Sequence, residues 1–415
     1  MKLLELAMDH ARDCWAPLAP DTQSLGRVGC CELRPLAYAR GAHADAAMRR
    51  FAYHGSDASL LYKYVLSPLA AFLVELLPRW VAPNLITLVG LGVPLSATLI
   101  YAHQCPAMDC RAAPRWPHLY CAVAILVYQT LDNMDGKQAR RTRTASPLGM
   151  FFDHGCDAIN CVVCTLSVPG CAITAGRHDV GTMLGLLTTS FTPFFFATWD
   201  HYTRGRFELP PVNGPNEGLV CAAILGGCSW WYGVEWWWQS PAWCAVARVQ
   251  LLWAASLTGQ LLTVVGQLWH ATRWLRARTG GGDSMSAGAL LNALPHLSML
   301  GLAATWIACA PEFARTRPRE VLLLCGCAHV EICTTMMHCH MCEVPYSRVH
   351  LTMVPLGLAA ADAAFGWRLG PGFVRALVAA SLAYTLVCGL RATRHAAAVL
   401  QVPVLRVRSS IKFDK

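Results

Sequence analysis

From residue 85 onward the chain alternates long apolar runs with short polar segments, and each run approaches the ~20 residues a helix needs to cross a bilayer core. Ten such stretches lie near 85–103, 118–134, 148–173, 180–199, 217–238, 246–269, 287–310, 319–338, 347–367 and 373–393. The pattern predicts an all-α polytopic membrane protein of about ten transmembrane helices. Ahead of them, from Ser59 as N-cap to Pro78, an apolar run is interrupted by Lys63, Pro68 and Glu75. Those breaks suit an amphipathic helix lying in the membrane interface, with Arg79 and Trp80 as its anchor. Residues 1–58 carry little pattern. Glu5, Asp9 and Asp13 break the opening apolar residues, so neither a signal peptide nor a transit peptide is expected, and the segment reads as cytosolic.

An even number of spans puts both termini on one side. Lys137, Arg140, Arg141 and Arg143 fall in the second loop, Arg204 and Arg206 in the fourth, and Arg273, Arg276 and Arg278 in the sixth. Arg391, Arg394, Arg406 and Arg408 follow the tenth span. All lie on the same face, which the positive-inside rule makes cytosolic. Arg315, Arg317 and Arg319 fall on the opposite face and are an exception. The chain then divides into a cytosolic segment 1–58, an interfacial helix 59–82, six spans in 83–270, a cytosolic loop 271–286, four further spans in 287–395 and a cytosolic tail 396–415.

Composition agrees: 55% of residues are hydrophobic and 14% charged, against about 25% charged in soluble domains. The net charge of +9 is scattered through short loops, which suits contact with anionic lipid headgroups and excludes the clustered patch of a nucleic-acid binder. Most of the 20 cysteines fall in apolar runs, where they act as small hydrophobes. Cys105 and Cys110 share a short loop on the lumenal side, where a local disulfide is open to them. Cys339 and Cys342, near His338, have the spacing of half a zinc site but no second pair at finger spacing, and read as the Cys- and His-rich end of a helix.

The chemistry concentrates between Asp132 and Asp157. Asp132 and Asp135 are i and i+3, Asp153 and Asp157 are i and i+4, so each pair shares a helix face. Four carboxylates at membrane depth are expensive unless a divalent ion neutralises them. An oxygen-only donor set points to Mg²⁺ or Mn²⁺. Gly136 leaves room for a bulky anion, and Lys137, Arg140, Arg141 and Arg143 supply charge for phosphate oxygens. Ser146 and Pro147 read as an N-cap and first helical residue, setting Asp153 and Asp157 in the second and third turns of a new helix. Together these features describe a metal-bound diphosphate site.

The pattern D-G-x-x-A-R, eight residues, G-x-x-x-D-x-x-x-D resembles the motif of the CDP-alcohol phosphotransferases. It is met at Asp135, Gly136, Ala139, Arg140, Gly149, Asp153 and Asp157, with the family's leading aspartate at Asp132. The fuller wording around these positions looks like the eukaryotic choline- and ethanolaminephosphotransferases, as do Pro83-Asn84 and the stretches Trp199–Thr203 and Leu209–Gly218. Met150 stands where that branch commonly has Glu. The resemblance implies that Asp132, Asp135, Asp153 and Asp157 hold the ion, and that Asn84, Asp132, Gly136, Ala139, Arg140 and Gly149 bind the CDP moiety. It implies transfer from CDP-choline, CDP-ethanolamine or both to diacylglycerol, with Asp157 as first choice for the base and His154 as second. Asn84 equally suits a cap at a helix entrance, Asn213 an ordinary turn, and Glu217 a charge favoured at a helix start. Trp199, Tyr202 and Glu217 are candidates for the amino-alcohol end. Trp230, Trp231, Tyr232 and Trp236 to Trp238 read as a lumenal interfacial belt.

The resemblance further implies a six-span catalytic bundle within 83–270, an added four-span part used for association as a homodimer, and residence in the endoplasmic reticulum or Golgi with the site facing the cytosol. Transfer from CDP-diacylglycerol to inositol or glycerol phosphate is the alternative within the class. A cation transporter is the alternative outside it, but no related halves with broken helices are visible.

Overall fold

The computed structural model describes residues 41–167, 176–279, 288–367 and 369–407. Expectations for 1–40, for 168–173 of the third span, for 280–286 of the sixth loop and for 408–415, Arg408 included, lie outside the described residues. All ten apolar stretches contain helices. We number them α3 (Pro83–Gln104), α4 (Trp116–Arg141), α5 (Pro147–Thr165), α6 (Val180–Arg204), α7 (Leu219–Tyr232), α8 (Arg248–Thr279), α9 (Leu294–Cys309), α11 (Pro318–Met341), α12 (Met353–Phe365) and α13 (Gly370–Leu400). The short α10 (Pro311–Thr316) precedes α11. Six of these helices are long and apolar enough to cross a membrane by length and composition. The other four fall short for visible reasons. Helices α4 and α5 carry the aspartates, and α7 and α12 have 14 and 13 residues, about 20 Å each at 1.5 Å per residue.

Helix α11 is the centre of the packing. In all, 89% of its apolar stretch lies buried, and it packs against α5, α6, α9, α12 and α13. A Cβ at its Gly326 would stand 2.5 Å from Val162 of α5, so glycine there lets the two helices close. The C-terminal helices therefore do not form a separate body, because one of them supports the helix bearing Asp153 and Asp157.

The stretch expected to lie in the interface forms α2 (Ser67–Leu76), entered through a π-helical turn Tyr62–Leu66. Ser59 caps it through its hydroxyl, which accepts from the Tyr62 N–H at 3.0 Å. The stretch before it has more structure than its sequence suggests: α1 (Ala42–Arg50) and strand β1 (Gly55–Asp57). Ala44, Ala47 and Met48 are the buried face of α1, and their i, i+3, i+4 spacing is the signal that would have revealed it. Strand β1 pairs in parallel with β2 (Phe207–Leu209).

Both described ends of the chain gather at one end of the bundle. Arg49 donates to the Val399 carbonyl, Asp45 lies 3.5 Å from His395, and Asn84 at the start of α3 donates to the Val404 carbonyl. At the opposite end Cys105 and Cys110 are joined as a disulfide. The arginine exception also resolves there. Arg315 pairs with Glu312 at 2.7 Å and Arg317 with Glu320 at 3.0 Å. Arg319 donates to the carbonyls of Tyr101, Cys105 and Pro106. Two of the three charges are offset by acids, and the third ties α11 to the disulfide loop.

Candidate active site

Two helix ends build the site. Helix α4 closes in a Schellman arrangement: the Thr144 N–H bonds to the Ala139 carbonyl at 2.9 Å and the Arg143 N–H to that of Arg140 at 3.2 Å, with Arg143 left-handed at φ 55°. Three residues on, Ser146 caps α5 by accepting from the Gly149 N–H at 3.2 Å, with Pro147 behind it. The short reversal sets the last turns of α4 beside the first turns of α5. Carboxylate oxygens of Asp132, Asp135 and Asp153 then lie within 4.8 Å of one another, the one such cluster of potential metal ligands among the described residues.

The four aspartates differ in their partners. Asp135 Oδ2 accepts from the Thr87 hydroxyl, and Asp157 Oδ1 accepts from the Tyr128 hydroxyl. Oδ1 of Asp132 and Oδ1 of Asp153 are buried without a hydrogen-bond partner. Buried acceptors left bare are costly. Bare oxygens in an all-carboxylate trio suit a small hard cation, so these residues fit the divalent ion that the motif implies. Asp157 stands outside the trio, bound to Tyr128. Neither Thr87 nor Tyr128 carries a sequence signal, since each reaches the site from an apolar run.

The basic residues of the motif divide in a way that sequence did not reveal. The Arg141 guanidinium donates to the Val74 and Leu77 carbonyls at 3.0 and 2.7 Å and pairs with Glu75 at 3.2 Å, so it caps α2. The Lys137 ammonium reaches the Ser67 hydroxyl at 2.9 Å. The backbone of Arg143 forms the helix cap described above, and its side chain is exposed. Arg140 and Arg143 are both exposed, with no side-chain hydrogen bond or ion pair seen for either among the described residues; Arg140 Nη1 is 3.6 Å from where a Gly136 Cβ would stand. A Cβ at Gly149 would lie 3.8 Å from Asn84 Oδ1. Asn84, Gly136, Ala139, Arg140 and Gly149 thus belong to the facing ends of α3, α4 and α5. Of the four basic residues expected to serve phosphate, Lys137 and Arg141 have partners on α2, while the side chains of Arg140 and Arg143 stay open, Arg140 beside Gly136.

His154, next to Asp153 on α5, is buried. Its ring lies 4.8 Å from Phe207, 5.6 Å from Tyr53 and 6.4 Å from His201. Tyr53, brought in by β1, is a further residue of this corner. Burial of its hydroxyl first, and then the charges of Asp153, Asp157, Asp132 and Asp57, push the phenol above its usual range, although 42% of the residue's surface is open.

The three amino-alcohol candidates have structural partners. Trp199 is 1% exposed and donates its indole N–H to the Ala289 carbonyl at 2.8 Å. The Tyr202 hydroxyl accepts from the Tyr346 N–H at 3.0 Å and donates to the Val344 carbonyl at 3.4 Å. Glu217 accepts from the Ser59 hydroxyl and from the Asn213 N–H. Asn213 and Asn216 in turn donate to Asp57, which fastens β1 to the turn before α7. Packing closes off Trp199; the Tyr202 hydroxyl and the Glu217 carboxylate have protein partners, while the Tyr202 ring and the Glu217 carboxylate are only partly buried.

The model of the family described as CDP-alcohol phosphatidyltransferase matches residues 80–198. Choline/ethanolaminephosphotransferase 1 of Arabidopsis thaliana is 34% identical over 318 residues, covering 74% of this chain and 79% of that protein. Cholinephosphotransferase 1 of Rattus norvegicus is 29% identical over 303 residues, 71% of this chain and 74% of that protein. An uncharacterized class-I family protein of Dictyostelium discoideum is 40% identical over 187 residues, 43% of this chain and 46% of that protein.

Proposed function

Because the chain belongs to the CDP-alcohol phosphatidyltransferase family, we propose that it transfers phosphocholine, phosphoethanolamine or both from the CDP-activated amino alcohol to diacylglycerol, releasing CMP. The product is phosphatidylcholine or phosphatidylethanolamine. One observation carries the reading: the trio Asp132, Asp135 and Asp153 lies on the same motif as an unpaired guanidinium, Arg140, beside Gly136. That arrangement suits a diphosphate.

Asp132, Asp135 and Asp153 would hold Mg²⁺ or Mn²⁺, which when bound offsets the charge gathering on the departing CMP. Arg140 takes phosphate oxygens by charge-assisted hydrogen bonds. Gly136 and Gly149 leave space that side chains would fill. Asn84 gives its N–H to Val404 and keeps its carbonyl oxygen beside Gly149, where it can accept from the cytosine amino group.

As the diacylglycerol oxygen forms its bond to phosphorus and the bond from phosphorus to the CMP oxygen breaks, the hydroxyl proton must leave. Asp157 is our choice of acceptor. It stands outside the trio, and the Tyr128 hydroxyl fixes its orientation through Oδ1. His154 is second, because its ring is packed among Tyr53, Phe207 and His201. We place the catalytic bundle in 83–270, count ten crossings, set the carboxylate end on the cytosolic face of the endoplasmic reticulum or Golgi, and expect a homodimer.

Purified protein supplied with diacylglycerol and Mg²⁺ is offered CDP-choline, CDP-ethanolamine, or CDP-diacylglycerol with inositol. Release of CMP with either CDP-amino alcohol is expected. Turnover only with CDP-diacylglycerol overturns the assignment.

A further inference from the structure

Helix α2 is fastened to the catalytic turn of α4 by side chains lying among the motif's own residues. Arg141 holds the Val74 and Leu77 carbonyls, and Gln138 donates to the Pro78 and Val81 carbonyls at 3.1 and 2.9 Å. Lys137 reaches Ser67 at the helix start. Apolar contact completes the joint: Ala70 and Val74 of α2 pack with Ile86 and with Met134, which sits between Asp132 and Asp135. A displacement of α2 therefore acts directly on the turn that presents two of the three clustered carboxylates.

The outer face of α2 is apolar and uncovered. Leu69, Phe72 and Leu76, at i, i+3 and i+7, form one stripe, with Tyr64 and Val65 before it and Trp80 after it. Phe72 is 65% exposed, Leu76 67% and Trp80 72%. The chain runs on from this stripe into α3, an apolar helix long enough to cross a membrane, whose Leu88, Val89, Leu95 and Leu99 are exposed as well. Continuity with that surface identifies the occupant as the monolayer at the carboxylate end. A helix held in an interface by such a face is sensitive to lipid packing, because insertion is easiest where headgroups leave gaps.

We propose that α2 is a lipid-packing sensor: a loosely packed monolayer seats its outer face and thereby holds the Asp132–Arg140 turn in working geometry, with Arg141, Gln138 and Lys137 as positioning residues. If the activity is the one proposed above, the device has a direction. Diacylglycerol has a small headgroup and loosens the monolayer, whereas a phosphatidylcholine product fills it. The enzyme would run when its acceptor is plentiful and slow as product accumulates.

The test uses the full chain in vesicles of one headgroup composition and fixed diacylglycerol content, with either polyunsaturated or mostly saturated chains. Wild-type turnover is expected to be about fivefold higher in the loose vesicles. Arg141→Ala should be slow and equal in both, with KM for the CDP-alcohol changed by less than about twofold. Arg141→Lys, which keeps a donor, should restore part of the lipid response. Phe72→Ser combined with Leu76→Ser, on the face turned away from α4, should be slow in both vesicles. Hydrogen exchange across residues 62–80, measured without substrate or metal, should show more protection in loose vesicles, while protection of 318–341 confirms that each variant is folded. Equal wild-type turnover and equal exchange in the two vesicles overturn the sensor. So does an Arg141→Ala enzyme that keeps the lipid response, or one whose KM rises as Arg140→Ala's would. Absence of turnover with any CDP-alcohol overturns the functional reading instead, and hydrogen exchange still decides the sensor.

Discussion

Replacing Gly136 by alanine separates a glycine kept for substrate from one kept for packing. Gly136 lies inside α4, where alanine is favoured over glycine by roughly 0.8–1.0 kcal/mol of helix propensity. The added methyl would find Arg140 Nη1 at 3.6 Å and Nη2 at 4.0 Å, ordinary van der Waals distances to the far end of a flexible side chain. Folding therefore carries no penalty, and the melting temperature should hold or rise by about 1–2 °C. If the space is needed by a diphosphate, the methyl acts as overpacking against the ligand, about 1–3 kcal/mol. At about 1.4 kcal/mol per tenfold, kcat/KM should fall roughly 5- to 150-fold, mostly through KM. Two glycines serve as controls of the opposite kind: a Cβ at Gly185 would overlap the Trp253 ring, and one at Gly326 would press on Val162 at 2.5 Å. Alanine at either should lower the melting temperature. The assay pairs thermal unfolding in detergent with steady-state CMP release over a range of CDP-alcohol concentration. A folded Gly136→Ala enzyme with wild-type kcat/KM refutes the space argument; a large loss of thermal stability shows that this glycine is structural after all.

Asp135→Ala should abolish transfer while the purified protein remains monodisperse, and monodisperse enzyme turning over near the wild-type rate would refute the carboxylate site. Excess chelator should remove activity, which Mg²⁺ restores and the larger, looser Ca²⁺ restores poorly; full activity in chelator ends the metal assignment. Trp199→Phe should lower thermal stability through loss of the bond to Ala289, by about 1–2 kcal/mol, without altering KM for either CDP-amino alcohol, and a selective KM change would return Trp199 to the headgroup. At saturating Mg²⁺, Asp157→Asn should cut single-turnover rate steeply with modest change in substrate binding, and His154→Gln should cost less. The reverse ranking makes His154 the base.

The parts of the site readable in sequence were those set by local periodicity. Spacing puts Asp132 with Asp135, and Asp153 with Asp157, on helix faces, and Ser146-Pro147 marks where α5 begins. These features depend on a few neighbouring residues, and the structure keeps them. The roles of the basic residues depend instead on what approaches from elsewhere. Arg140 and Arg141 are adjacent, yet one faces open space and the other caps α2, because residues one apart on a helix point about 100° apart. Trp199 and Tyr202 illustrate the same limit. Their aromatic character suggested a cation site, but Ala289, Val344 and Tyr346, 90 to 144 positions away, take their polar atoms. The central place of α11 was also hidden. An apolar run reads alike whether lipid or protein surrounds it, since both are equally apolar partners.

The donors to the carboxylates are chosen so that none cancels their charge. Thr87 and Tyr128 each supply a neutral hydroxyl, to Asp135 and Asp157, which fixes an oxygen's direction and leaves its charge intact. A guanidinium in either place would remove the need for a cation. Two other arginines have partners elsewhere: Arg141 the carbonyls of α2, Arg204 the carboxylates of Asp200 and Glu208. Arg140 stays on the far side of Gly136. Negative charge is thereby concentrated where an ion would bind, and positive charge is held one helical turn away, with Gly136 as the gap between them. A diphosphate needs both at once, its oxygens shared between a cation and a guanidinium. The bare oxygens of Asp132 and Asp153 are the energetic cost of that arrangement, and one that ligand binding would remove.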